Sequence, residues 1–509
     1  MRRRSVFLTG ATGTMGFMAL KELLKDSDEQ NLVILVRPSE KNKALLAPYK
    51  DAEGLRIEWG DLNSYEDVFR CVEQSDIILH AGALVSPEAD YYPQQTMKVN
   101  YGSVMNIISA VKEQKRENEV RLVYIGTVAQ TGDRMPPLHW GRVGDPLKPS
   151  VFDYYAVSKI AAERAVIESG LKYWVCLRQT GILSAKMSRT EDAIMFHNCL
   201  NNVLEYVSDR DSAVLLRSVC RELPDEFWQH VYNIGGGAEC RISCYDMYKE
   251  LFGRIGIKKL SYALDSKWFA LRNFHGQYYL DSDILEKYLH FRSDSMEYLY
   301  EIYLKQLGLQ ASVSRFICRL PFGQRIIGSA MKKKFLKLAR SEHGPLRFIE
   351  ENNEDKTAAY FISREEWDKI PGLDETEHFS DWDSIAAISH GYDDSRPENT
   401  LSLTDVRQAA EFRGGKCLSS DMNTGDWQSR LLFRCAFGHS FEMSPRASLH
   451  AGHWCPVCER ESWNYHENAK VNPYFAQVWY PLHDKDEPAR TYPKLFSELD
   501  VKYGRQSRD

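Results

Sequence analysis

Residues 6–16 read Val-Phe-Leu-Thr-Gly-Ala-Thr-Gly-Thr-Met-Gly, an apolar run closing in three glycines set three residues apart. Val6 to Leu8 suit a buried parallel strand, and Phe17 to Leu24 carry the apolar spacing of a helix, so the glycines join a strand to a helix. That context predicts a turn built around a dinucleotide's phosphates. Gly10 permits the tight turn, Gly13 removes the side chain that would hold backbone away from a pyrophosphate, and Gly16 lets helix and strand pack closely. The free amides of the first helical turn, with Thr12, Thr14 and Met15 around them, complete the cradle.

Further along stand Tyr155 and Lys159, four residues apart and hence on one face of a helix. A phenol of pKa about 10 is a poor acid or base at neutral pH, and a nearby ammonium favours its phenolate. The pair therefore predicts proton transfer at a substrate oxygen, beside a nicotinamide that gives or takes hydride. Tyr154 is the weaker candidate, because Ser158 follows it at the same spacing and cannot supply the cation. Near the end of the second strand the chain reads Leu35-Val36-Arg37-Pro38, without the carboxylate that binds the ribose hydroxyls of NAD. Arg37 could instead grip a 2′-phosphate, with Lys41 and Lys43 following, so NADP(H) is expected over NAD(H); Glu40 is the residue that would restore NAD binding.

Six apolar runs alternate with helical segments: Ser5–Thr9, Leu32–Val36, Leu55–Trp59, Ile77–His80, Arg121–Gly126 and Tyr173–Arg178. This predicts an α/β domain, a doubly wound parallel sheet of the Rossmann kind, over 1–180. A smaller substrate lobe is expected over 181–310, with Val231 to Gly237 as a strand and turn and Tyr245 to Phe252 as a helix. A helical connecting region over 311–410 and a zinc-binding module with tail over 411–509 complete the division. The chain has 509 residues and a formal net charge of −6, which argues against a general nucleic-acid binder. It has no apolar stretch long enough to span a bilayer, and a cytoplasmic location is expected. A homodimer is left open. The basic run Lys332-Lys333-Lys334 to Arg340 could touch a membrane or polyanion, but is read as a solvated helix face.

With the glycine loop, Gly60-Asp61-Leu62, His80-Ala81-Gly82-Ala83, Asn100, Tyr155 to Lys159 and Asn233-Ile234-Gly235 in order, the first 300 or so residues resemble the extended short-chain dehydrogenase/reductase family, in its NAD-dependent epimerase/dehydratase-like branch. The resemblance implies that Asp61, with Leu62 beside it, meets the adenine. It implies also that the loop of His80, Ala81 and Gly82 runs under the cofactor, with Asn100, Gln179, Thr180 and Gly181 around it. Thr127 falls where that family keeps its catalytic serine or threonine. Two departures stand out: Ile125-Gly126-Thr127 lacks the usual serine pair, and Gln179 follows Arg178 where a proline is common.

Near the C-terminus, Cys435-Ala436-Phe437-Gly438-His439 and Cys455-Pro456-Val457-Cys458 supply four ligands for a tetrahedral zinc of Cys₃His type. The pattern resembles treble-clef or zinc-ribbon modules. With all four positions filled by protein the zinc is expected to be structural; Cys417 is an alternative ligand, and His453 a poorer one.

These features predict an enzyme acting on a small molecule, in the first place an NADP(H)-dependent oxidoreductase for a carbonyl or secondary alcohol. Alternatives are an epimerase or dehydratase of a nucleotide sugar that keeps NAD(P) bound, a thioester reductase, or a non-catalytic cofactor-bound scaffold. Substrate contacts are expected from Ser86, Tyr91, Tyr92 and Phe274, with Trp268, Phe269, His275 and Tyr278 as pocket or core.

Overall fold

A computed structural model describes residues 3–187, 192–460 and 464–492. In chain order come β1 (Arg4–Thr9), β2 (Gln30–Val36), β3 (Leu55–Trp59), β4 (Ile77–His80), β5 (Arg121–Thr127), β6 (Trp140–Gly141) and β7 (Tyr173–Gln179). There follow β8 (Ile182–Leu183), β9 (Val203–Glu205), β10 (Val207–Ser208), β11 (His230–Ile234), β12 (Arg241–Ser243) and β13 (Tyr278–Tyr279). Seven of these make one parallel sheet in the order β11-β7-β5-β4-β1-β2-β3. The order reverses between β1 and β4, the crevice where such sheets bind dinucleotides.

The apolar runs become central strands because helices cover both faces, leaving no solvent side that would demand alternation. One apolar cluster holds Val6, Leu8, Ile34 and Leu79 under the helix Thr14–Leu23, whose Met15, Ala19, Leu20 and Leu23 face it. The other face carries Phe7, Ile78 and Tyr124, and its cluster runs on without a break into Leu431, Phe433 and Cys455 of the C-terminal module.

β11 differs from its expected place. Read from sequence as part of the substrate lobe, it joins the main sheet as an edge strand parallel to β7, with Tyr232 opposite Leu177. The lobe itself is made of short ribbons (β8 with β10, β9 with β12, β6 with β13) and of the helix Cys244–Arg254. The stretch expected as a connector does more than connect. Its helices Leu309–Arg319 and Gly323–Ala339 place Ala311, Cys318 and Ala339 in one apolar cluster with Phe252, Trp268 and Phe269. Trp268 and Phe269 are thereby lobe core.

The C-terminal module is a three-stranded antiparallel sheet, β14 (Lys416–Cys417), β15 (Leu431–Arg434) and β16 (Ser440–Met443), followed by the helix Pro456–Arg460. It packs on the helix Tyr154–Ile167, which is buried nearly all round as a result.

Candidate functional site

The crevice begins at the glycine loop. Gly10 has φ +73°, and a Cβ there would lie 2.8 Å from the Gly82 backbone, while a Cβ on Gly16 would strike the Gly10 carbonyl. Both positions admit only hydrogen. Gly13 is different, since its Cβ would meet only the Gly10 carbonyl at 3.3 Å, so the missing side chain there opens space outward. The helix after it starts at Thr14 with free amides, and Gln179 Oε1, at the end of β7, is buried without a hydrogen-bond partner. An open cradle, free amides and an orphaned acceptor at the strand ends fit a dinucleotide.

The other expected contacts take distinct places. Thr9 Oγ1 accepts from the Gly82 amide at 2.9 Å and lies 2.9 Å from His80 Nδ1, whose Nε2 lies 3.2 Å from Ser103 Oγ. Burial, with Lys159 adding to it, holds His80 down at about 3 and hence neutral. Its side chain braces the loop, in which the Ala81 amide donates to the Leu79 carbonyl and the Gly82 amide to Thr9. Asn100 pins the next residues by bonding both backbone groups of Leu84 and donating to Ser158 Oγ at 2.9 Å. Asp61 Oδ1 accepts from the Asn63 amide, closing the turn after β3. Arg37 follows β2 directly and is exposed, as is Lys41, whereas Lys43 is paired with Glu40 at 2.9 Å.

The helix Tyr154–Ile167 starts at Asp153, whose Oδ1 accepts the Ala156 amide at 2.8 Å. Asp90 Oδ1 accepts the Tyr155 amide at 3.2 Å, and burial together with Asp153 pushes Asp90 up to about 8. The Tyr155 phenol is pushed up by burial, and its hydrogen bond with the Thr127 hydroxyl opposes this. Thr127, Tyr155 and the end of β5 are thus brought together. Lys159 is nearby but differently aimed: its Nζ donates to the Ile125 carbonyl at 2.5 Å and lies 4.2 Å from the centre of the Tyr124 ring. Burial pushes it down to about 7, with Glu163 opposing. In this conformation the lysine chain runs to β5.

Of the residues expected to meet substrate, Tyr91 stacks on His343 with ring centres 3.6 Å apart, and His343 is tied to His197 Nε2 through its carbonyl at 2.8 Å. Ser86 hydrogen-bonds Asp90, Tyr92 is exposed, and Phe274 stacks on His275 at 4.4 Å. His275 Nδ1 lies 3.7 Å from Asp153. His343 thus packs on Tyr91, and Phe348, Ile349 and Tyr360 share an apolar cluster with Met97 and Tyr154, contacts that no local pattern in the sequence announced.

Cys435, His439, Cys455 and Cys458 place their ligand atoms within 4.8 Å of one another. The Cys435–Cys458 sulfurs are 3.8 Å apart, and the three sulfurs lie 3.4, 3.6 and 3.4 Å from His439 Nδ1. Zinc bonds of about 2.3 Å to sulfur and 2.0–2.1 Å to nitrogen give tetrahedral edges of about 3.5–3.8 Å, so the donor set fits that ion. Cys417 is outside this group. His453 is engaged elsewhere, its Nε2 lying 3.1 Å from Glu163 Oε1. Glu163 also takes both prongs of Arg178, at 3.1 and 2.7 Å, and Arg178 donates onward to the Ala451 carbonyl at 2.7 Å. Gly126 leaves room for this pair beneath β5, since a Cβ there would meet Glu163 Oε2 at 3.2 Å.

Residues 6–216 match the model of the NAD dependent epimerase/dehydratase family. The chain is 27% identical over 112 residues to the UDP-N-acetylglucosamine 4,6-dehydratase (inverting) of Campylobacter jejuni, covering 22% of this chain and 33% of that one. It is 25% identical over 116 residues to the UDP-glucose 4-epimerase of Rickettsia massiliae, covering 22% and 34%. The chain thus spans about a third of the length of these relatives. Identity of 26% over 263 residues links it to the 3 beta-hydroxysteroid dehydrogenase/Delta 5-->4-isomerase of vaccinia virus, over 47% of this chain and 70% of the relative. Among solved structures, a dTDP-glucose 4,6-dehydratase of Streptomyces venezuelae with NAD bound aligns at TM-score 0.49 and 19% identity, covering 61% of this chain and 98% of that one. Over residues 6–216, then, this chain is similar to the NAD dependent epimerase/dehydratase family.

Proposed function

We propose that the chain is an NAD(P)-dependent epimerase or dehydratase acting on a nucleotide-linked sugar, with the cofactor restored within each turnover. The observation that carries the chemistry is Tyr155, in the first turn of its helix, brought beside Thr127 at the C-terminal end of β5. When bound, the dinucleotide supplies the hydride acceptor and donor. Tyr155 moves the proton of the substrate oxygen, and Thr127 orients that oxygen. Lys159, in leaving the Ile125 carbonyl, would bring its charge to the phenol and to the ribose hydroxyls. Asp90, at about 8, is a carboxyl able to hold a proton beside this centre near neutral pH.

Around the dinucleotide we assign Gly10, Thr12, Gly13, Thr14, Met15 and Gly16 to the phosphates and Asp61 and Leu62 to the adenine. Ala81, Gly82, Gln179, Thr180 and Gly181 take the floor of the crevice. Arg37 and Lys41 carry the preference for NADP(H), and the exposed Arg37 guanidinium at the end of β2 supports it. The Cys435, His439, Cys455 and Cys458 group we assign to a structural zinc. The division into 1–180, 181–310, 311–410 and 411–509 remains our scheme for the domains, with β11 crossing from the second into the sheet of the first.

A second reading is net oxidation or reduction of an alcohol or carbonyl on a more apolar substrate. The vaccinia relative favours it, since a match of 263 residues can include both the glycine loop and Tyr155, which matches of 112 and 116 residues cannot. Aromatic Tyr91 and Phe274 on the substrate side suit it too. Turnover of UDP-glucose or UDP-N-acetylglucosamine without change in NADPH absorbance supports the first reading. Stoichiometric NADPH loss with a carbonyl panel, and none with the sugars, replaces it by the second.

A further inference from the structure

Residues 309–340 hold eight Lys or Arg and no Asp or Glu, in a chain whose formal net charge is −6. They fold as the helical pair Leu309–Arg319 and Gly323–Ala339, joined at Leu320–Phe322. Inward they present small residues: Ala311, Cys318, Gly323 and Gly328 are buried, and Gly328 packs on Tyr262. Outward they present large apolar ones. Leu309 is 85% exposed, Phe322 75%, Phe316 64% and Ile326 62%, the four highest values among exposed large apolar residues of the described chain, and Val313 and Leu320 join them. Six such side chains within eighteen residues form a patch far denser than the scattered ones a soluble surface carries. A solvated helix face, expected from the lysines alone, leaves these six unexplained.

Around the patch stand Arg315, Arg319, Arg325, Lys333, Lys334 and Lys337, all exposed. Apolar side chains at a helical turn, ringed by cations, match the two layers of a bilayer interface: acyl boundary for the former, anionic headgroups for the latter. No helix among the described residues is long and apolar enough to cross a membrane, so the chain would lie on the surface and not span it. We propose that the Leu309–Ala339 helical pair docks the protein on an anionic lipid bilayer, inserting Phe316, Leu320, Phe322 and Ile326 among the headgroups. This rests on the charge and exposure of the pair and is independent of the reaction assigned above.

The test is co-sedimentation of the full chain with vesicles of phosphatidylcholine alone and of phosphatidylcholine mixed with phosphatidylglycerol. Binding is expected to the mixed vesicles, to fall as salt is raised, and to weaken about fivefold for each of Lys333→Ala and Lys337→Ala. The double variant Phe316→Ser/Phe322→Ser should lose binding at unchanged melting temperature, since both side chains are exposed. No binding to mixed vesicles at low salt overturns the proposal, as does undiminished binding by the double serine variant. A parent that is dimeric in solution and becomes monomeric in that variant, with no vesicle binding in either, assigns the patch to self-association instead.

Discussion

Glu163→Ala removes the carboxylate on which Arg178 and His453 converge, and its cost follows from the burial of all three. Arg178 is 1% exposed and Glu163 0%, so neither charge has water to fall back on when the other is lost. Burial alone would push Glu163 up; Arg178 and His453 overcome it and hold the carboxyl at about 2, against an ordinary 4.5. That gap corresponds to about 3 kcal/mol, and breaking a buried pair by removing one partner usually costs about 3–5 kcal/mol. The sign is that of a depressed carboxylate. Its stabilisation is fully present above about 4.5 and is lost as pH falls through about 2. Urea unfolding at neutral pH should show the unfolding free energy of Glu163→Ala lowered by about 3 kcal/mol, its midpoint falling at unchanged slope. Glu163→Leu/Arg178→Met should recover most of this, with His453 and the Ala451 carbonyl left as residual costs. A single variant within about 1 kcal/mol of the parent would refute the view that this network locks the C-terminal module to the helix of Tyr155.

Gly13→Ala should lower the melting temperature far less than Gly10→Ala, because its Cβ meets only one carbonyl at 3.3 Å, yet weaken dinucleotide binding about tenfold or more by blocking the cradle, read by NADPH fluorescence titration. Gly10→Ala, at φ +73° and 2.8 Å from Gly82, should destabilise the fold itself, measured by thermal unfolding. Arg37→Glu should weaken NADPH binding by tenfold or more and spare NADH; equal losses would remove the 2′-phosphate argument. Metal analysis of protein purified without added zinc should find one zinc per chain and none in Cys455→Ser.

Much of the sheet was legible because buried parallel strands read as apolar runs wherever they stand: Leu32–Val36 and Ile77–His80 are strands within a residue or two of their expected limits. The position of β11 was not, since a strand's sequence carries no mark of which neighbour it will pair with. The Cys435, His439, Cys455 and Cys458 cluster was legible because its members come in two short, fixed spacings. The Glu163–Arg178–His453 network was hidden, its members lying 15 and 290 residues apart with nothing local to join them. Spacing put Tyr155 and Lys159 on one helix face, but the rotamer that sends Lys159 Nζ to the Ile125 carbonyl depends on β5, which spacing does not describe. The lysine run was visible from sequence, whereas the apolar residues beside it could be known as exposed only once their helices had docked by the small-residue face.

A structure of the chain with NADPH bound tests the central claim most directly. The pyrophosphate should lie on the amides of Thr14 and Met15 across Gly13, with the nicotinamide against the Tyr155 phenol and Lys159 drawn from Ile125 to the ribose. A dinucleotide held elsewhere on the protein, or a nicotinamide out of reach of Tyr155, would contradict it.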